Sequence, residues 1–158
     1  GARPGDALMV TGELGGSILG RHLDFLPRLK EVRWLREAAR LHAMIDISDG
    51  LAADAAHLAQ ESRAGIVIDA ASVPISAAAH ELARRSDGSP LEHALHDGED
   101  YELLFTATPA DAERLLTWTG APVKIARIGE VVADLGLWLR DAAGARRPLE
   151  PRGWRHEF

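Results

Sequence analysis

Residues 43–54, "AMIDISDGLAAD", run from a short apolar stretch through a Ser-Asp-Gly turn into a segment with apolar residues at Leu51, Ala55, Leu58 and Ala59. The first part reads as a strand over residues 43–47. The second reads as an amphipathic helix with Asp54, His57 and Glu61 on its outer side. Strands that lead into helices in this way build layered α/β and α+β domains. Asp46 ends the strand and Asp49 opens the helix, so the two carboxylates can converge where the elements meet. Magnesium takes a few carboxylates together with water and phosphate oxygens, and the first-turn N–H groups of a helix suit an anion. The plainer alternative is that Ser48 or Asp49 simply caps the helix.

The flanking sequence continues the alternation. Residues 7–11 (ALMVT) form a strand candidate introduced by the turn-like Pro4-Gly5-Asp6. Beyond "GELGGSILG", apolar positions Leu14, Ile18, Phe25, Leu26 and Leu29 predict a helix that Pro27 ends or kinks. Val32, Leu35 and Ala39 predict a second helix, closing before Ala43. Gly65 breaks into a strand over residues 66–68, and the alanine-rich residues 76–85 read as a helix. Ser86-Asp87-Gly88-Ser89-Pro90 is the clearest loop. A strand is predicted over residues 101–107. Its successor is a helix with Thr108 as N-cap, Pro109 in the first turn and Asp111 placed to complete a capping box. Residues 123–132 and 137–140 suggest a closing pair of strands, and the tail "RRPLEPRGWRHEF" has no periodicity. The expected fold is α+β, a layered α/β arrangement with a mixed sheet flanked by helices. A length of 158 residues suits one domain, residues 1–158.

Two further stretches could carry chemistry. "VTGELGGS" (residues 10–17) is a strand followed by a glycine-rich turn. Glycines let a backbone approach a phosphate, but this is neither Gly-x-Gly-x-x-Gly nor a Walker loop, and a tight structural turn explains it equally. "HDGEDYEL" (residues 96–103) packs Asp97, Glu99, Asp100 and Glu102 against the apolar Leu104–Phe105. Like charges ~6 Å apart repel by roughly 0.7 kcal/mol in water and about 3 kcal/mol at an effective dielectric of ~20. These acids could point to solvent, add ligands to the Asp46/Asp49 pair, or face a cationic organic ring, and spacing does not choose. The histidines show no zinc-type pairing, and spacing identifies no serine or cysteine partner for them. Trp154, His156 and Phe158 in the tail either fold back on the domain or face a ligand.

Bulk properties narrow the classes. A formal charge of −6 argues against a general nucleic-acid binder, and a chain so charged needs divalent cations to handle phosphates. No apolar run approaches the roughly 18–20 residues of a membrane span. The absence of cysteine excludes disulfides and thiolate metal sites and fits a cytoplasmic protein.

Taken together, "GDALMVTGELGGS", "AMIDISDGLAAD", "HDGEDYELLFTATP", "ARIGEVV" and the closing "GWRHEF" resemble, in order, the second half of the thiamine-monophosphate kinases. That family sits in a superfamily with aminoimidazole ribonucleotide synthetase, selenophosphate synthetase and a hydrogenase-maturation factor. The resemblance implies the superfamily's C-terminal domain fold and a part in converting thiamine monophosphate to thiamine diphosphate with ATP. It implies that Asp46 and Asp49 bind Mg2+, that Ser48 touches the ATP phosphates, and that Glu99 and Trp154 contact the substrate. Here Glu157 separates His156 from Phe158, where the family's ending usually joins them. The resemblance also implies an N-terminal ATP-binding domain outside this sequence, a homodimeric parent, and inactivity of these 158 residues alone. The rival expectations are a related ATP-using synthetase or maturation factor, and a non-catalytic magnesium- or ligand-binding domain.

Overall fold

A computed structural model describes residues 1–152 of the chain. Its centre is a seven-stranded sheet: β1 (Ala7–Thr11), β2 (Leu41–Asp46), β3 (Gly65–Asp69), β4 (Leu103–Ala107), β5 (Ile125–Val132), β6 (Gly136–Arg140) and β7 (Arg146–Pro148). The strands lie in the order β2-β4-β1-β5-β3-β6-β7. The β3–β6 pair is parallel and every other neighbouring pair is antiparallel, so the sheet is mixed, as expected.

Helices α1 (Leu29–Ala38), α2 (Leu51–Ser62), α3 (Ala77–Ala83), α4 (Pro90–His96) and α5 (Pro109–Thr117) surround the sheet. The period-2 alternation of the central strands sorts the core into two layers. Leu8 and Val10 of β1 and Leu104 of β4 pack with Leu51, Ala55 and Leu58 of α2 and Leu95 of α4. Ala7, Met9, Leu103 and Phe105 point the other way, onto Leu35 of α1 and Leu115 of α5. Strands covered on both faces are largely apolar, and β1 and β4 are buried at every position, Thr11 and Thr106 included.

Several sequence expectations change. The predicted helix through Leu14–Leu29 is absent. Two 3-10 turns, Ser17–Leu19 and Arg21–Leu23, take its place, and Ile18, Leu23 and Leu26 are exposed. Left-handed Gly15 and Gly16 (φ 85° and 75°) and Gly20 (φ 132°) are incompatible with a continuing helix, so the apolar spacing there is coincidental. The Ser86–Pro90 loop ends one residue early, because Pro90 is the first residue of α4, behind a Ser89–Glu92 capping box. The strands β5 and β6 are not a pair: β3 lies between them, joined to both. In the tail, Arg146–Pro148 adds an edge strand to β6. At α5 the Thr108 cap forms, but the Asp111 carboxylate accepts from the Thr108 hydroxyl and Arg114 rather than completing the box.

Candidate functional site

The topology brings three chain ends to one edge of the sheet. Strands β1 and β2 flank β4 and run antiparallel to it, so their C-terminal ends meet its N-terminal approach: Asp46 pairs with Leu103, and Val10 with Leu104. The acidic run therefore lies beside the Ser-Asp-Gly turn. Ile47 N donates to the Glu102 carbonyl, Tyr101 N to the Ile47 carbonyl and Glu99 N to the Ser48 carbonyl, each at 2.8 Å.

The turn itself is held from inside. Gly50 is the N-cap of α2, and neither Ser48 nor Asp49 caps the helix with its side chain. Instead the Asp54 carboxylate reaches back to accept from Ser48 N (2.9 Å) and Asp49 N (3.1 Å). Asp54 is 2% exposed, so its expected place on the outer side of the helix is corrected. Burial pushes its carboxyl up to about 6, against the pull of those two N–H groups. The two turn donors are already occupied, which leaves the Ser48 hydroxyl, rather than its backbone, to meet any bound anion. Among the described residues, the side chains of Asp46, Ser48 and Asp49 have no hydrogen-bond partner. Asp46 is exposed, and Ser48 and Asp49 are half-buried.

The four acids of the run divide sharply. Asp97 accepts from Gly16 N and His93 Nδ1, both at 3.1 Å. Asp100, 1% exposed, accepts from Gly15 N (3.0 Å) and the Ser17 hydroxyl (2.7 Å). Burial pushes Asp100 up to about 6, and the nearby Asp97 adds to that; Ser17, Gly15 and Arg21 oppose it. Glu102 is fully buried and accepts from the Thr11 hydroxyl (2.7 Å), from Arg28 (2.6 and 2.9 Å) and from Arg21. Burial alone would raise its pKa, but Arg28, Thr11 and Arg21 together outweigh it and hold the carboxyl below its usual range. Only Glu99 is left exposed, with no described side-chain partner. It sits at φ 65°, and Tyr101 at φ 52°, a left-handed backbone that non-glycine residues seldom adopt.

Sequence reasoning missed the other half of this arrangement. The glycine-rich turn binds its own chain's carboxylates, Asp97 and Asp100, so the tight structural reading of "VTGELGGS" holds. A Cβ on Gly12 (φ 64°) would fall on the Glu102 carboxylate, which explains why glycine stands there. Arg21 and Arg28, and Phe25 stacked on Tyr101 with ring centroids 3.8 Å apart, come from residues 20–28. With Asp24, Leu26, Asp100 and Tyr101 they line a cavity of about 190 Å³. The paired arginines opposite a four-acid run were the available signal, hidden by the apolar spacing that suggested a helix.

One serine–histidine contact also escaped the spacing. His93 lies 2.9 Å from the Ser86 hydroxyl and 3.1 Å from Asp97. With Nδ1–H given to Asp97, Nε2 of the neutral imidazole is an acceptor, and the Ser86 hydroxyl lies within donating distance of both Nε2 and the Leu82 carbonyl (3.0 Å). The contact stitches α3 to α4.

Of the sequence-predicted site residues, Ser48, Asp49 and Glu99 come together at this edge, with Asp46 at the adjoining end of β2. Trp154 lies outside the described residues. Among the described residues, no group of three or more His, Asp or Glu side chains is placed to hold a metal ion.

Comparison with known proteins agrees with this architecture. The chain is 44% identical over 156 residues to the thiamine-monophosphate kinase of Rhodopirellula baltica, covering 99% of this chain and 49% of that protein. It is 34% identical to that of Aquifex aeolicus, covering 99% and 53%. A solved structure of AaThiL complexed with AMPPCP and TMP superposes with a TM-score of 0.76 at 34% identity, over 99% of this chain and 53% of that one. The Escherichia coli hydrogenase maturation protein HypE shares the fold, with a TM-score of 0.74 at 22% identity. The chain thus spans about half the length of the curated relatives it matches. Residues 3–140 match the model for AIR synthase related protein, C-terminal domain, and the chain belongs to that family.

Proposed function

We propose that this chain is the C-terminal half of a cytoplasmic, homodimeric thiamine-monophosphate kinase. In that enzyme ATP phosphorylates the phosphate of thiamine monophosphate, giving thiamine diphosphate and ADP. The observation that carries the reading is the fate of the acidic run: three acids are consumed by the scaffold, and Glu99 alone is presented beside Ser48. A free carboxylate at that position suits a permanently cationic ring such as thiazolium, and the relatives that cover this chain are named for a substrate containing one.

Asp46 and Asp49 fit a magnesium site of the kind that uses one or two carboxylates and completes its shell with water and substrate phosphates. Their side chains have no other described partner, and oxygen donors suit a hard cation. When bound, the ion supplies charge neutralisation between phosphate groups. The remaining work of these residues is positioning. Asp54 fixes the Ser48–Asp49 turn, Ser48 offers its hydroxyl to a phosphate oxygen, and Glu99 orients the cationic end of the acceptor. Phosphoryl transfer depends mainly on such placement and on electrostatics. A phosphate acceptor is already largely ionised near neutrality, so no general base is assigned. The N-terminal domain would supply the rest of the nucleotide site, and these 158 residues alone would not turn over.

The test is thiamine diphosphate formation by the full-length natural protein given ATP, Mg2+ and thiamine monophosphate, with Asp49→Ala beside it. Product formation that the substitution abolishes is the expected result. A folded protein that binds ATP and forms no product would reassign the chain to a related synthetase or maturation factor.

A further inference from the structure

Residues 20–28 cross the site without the usual means of staying there. Leu23 and Leu26 are 82% and 81% exposed, so apolar burial does little to hold them. The backbone contributes turn-type bonds, Leu23 N to the Gly20 carbonyl and Asp24 N to the Arg21 carbonyl. Nevertheless Phe25 lies almost flat on Tyr101, with an interplanar angle of 19°. Arg21 also donates to the Glu13 carbonyl (2.9 Å), and His22 Nδ1 lies 2.8 Å from the Ser17 carbonyl. The fastening shared by both ends of the segment is ionic: Arg21 and Arg28 close on the one buried carboxylate of Glu102. The Glu102 side chain is 1% exposed, and Arg21 and Arg28 are 35% and 25% exposed, so much of each pair is shielded from water. Glu102 is itself fixed by Thr11, whose hydroxyl oxygen accepts from Leu103 N of β4 at 2.9 Å. The segment is thereby tied to the same strand ends that carry Asp46 and the acidic run.

We infer that Glu102 is a positioning residue: through Arg21 and Arg28 it holds Phe25 against Tyr101, making an aromatic wall two residues from Glu99, against which the organic cation is held. Glu102 touches no ligand in this scheme and acts only through residues 20–28. Tyr101 is two residues from Glu99, and the left-handed backbone at both positions presents them from one rigid turn. A flat cationic ring would then be held by charge at Glu99 and by an aromatic surface beside it, which suits cation–π contact. The inference rests on the kinase reading for the identity of that ring.

The test uses the full-length natural protein and two readouts. The first is limited trypsin cleavage after Arg21 and Arg28, against cleavage after Arg84 and Arg85 beyond α3 as an internal reference. Glu102→Gln should speed cleavage at Arg21 and Arg28 by about tenfold relative to the reference sites, and Arg28→Lys should speed cleavage after Arg21 less. The second is steady-state kinetics. Glu102→Gln should raise KM for thiamine monophosphate about tenfold and change KM for ATP less than about twofold. Phe25→Ala, a change at a ring 38% exposed that leaves the ion pairs in place, should reproduce that split. The double variant should be no worse than the weaker single, because both act through one wall. Equal acceleration at all four cleavage sites would overturn the clamp. So would parallel losses for both substrates, or an unchanged KM for thiamine monophosphate in Phe25→Ala. A wild-type protein that forms no thiamine diphosphate would overturn the kinase reading, and the cleavage ratio alone would then decide whether the clamp stands.

Discussion

Two sets of carboxylates share the site, alike in chemistry and different in burial and partners. Asp54, Asp100 and Glu102 are buried, and each accepts two or more hydrogen bonds from backbone, hydroxyl or guanidinium groups. Asp46, Asp49 and Glu99 are more accessible and have no described side-chain partner. The members alternate closely along the chain, with Glu99 directly before Asp100 and Asp49 five residues before Asp54. Buried charge is tolerated only when it is paired, so the inner set must be scaffold. The outer set is free to take a ligand. Motif residues of one type thus divide into those that build the site and those that use it.

The largest expected consequence is at Glu102. Glu102→Ala strands Arg21 and Arg28 against an emptied pocket, and should cost about 3 kcal/mol of unfolding free energy in urea. Glu99→Ala should change it by less than about 0.5 kcal/mol. Similar losses at both positions would erase the distinction between the two sets. Gly12→Ala comes next. It forces a side chain at φ 64° into the space of the Glu102 carboxylate, and should cost about 2 kcal/mol by the same measurement.

Acid titration separates members within the inner set. Asp100 is raised to about 6 by burial, so the folded state holds its proton more tightly than the unfolded chain does. Its contribution favours folding most below the unfolded pKa near 3.8 and declines as pH rises through about 6. Glu102 is lowered, so its contribution is fully present above its ordinary 4.5 and is lost as pH falls below that. Asp100→Asn keeps an acceptor for Gly15 N and Ser17 while removing the buried charge. Relative to wild type it should gain roughly 1–2 kcal/mol between pH 4 and pH 7 in pH-dependent urea melts. A pH-independent difference would show that Asp100 is not the titrating group.

The sequence was legible where local pattern and global fold agree. The strand–turn–helix at 43–54 carries apolar periodicity, a glycine at the cap and acids at the junction, and all of these reappear in β2 and α2. It was illegible where a side chain's partner lies far along the chain. Nothing within residues 96–103 distinguishes Glu102 from Glu99, because the arginines that claim Glu102 are 74 and 81 residues away. Asp54 was misplaced for a local reason, since its donors are only five and six residues back. Its position on the helix allowed an outward face, and only the backward bend of the Ser48–Asp49 turn brings donors to it. Residues 14–29 failed differently: their apolar spacing matched a helix, but left-handed glycines forbid one, and the exposed leucines show that the pattern buries little.

The smallest expected effect bears on the outer set most directly. Glu99 holds a left-handed backbone, a conformation that Asn tolerates better than Glu. Its N–H donates to the Ser48 carbonyl whatever the side chain. Glu99→Asn should therefore leave stability unchanged or raise it by up to about 1 kcal/mol in urea melts, since it relieves local strain and removes no described contact. In the full-length protein the same change, and the isosteric Glu99→Gln, should weaken thiamine monophosphate binding while ATP affinity stays nearly intact. A residue retained at a strained position, where a more comfortable one would fold at least as well, is a residue kept for its carboxylate. Loss of stability in Glu99→Asn, or equal loss of both ligands in Glu99→Gln, would instead move Glu99 into the scaffold beside Asp100 and Glu102.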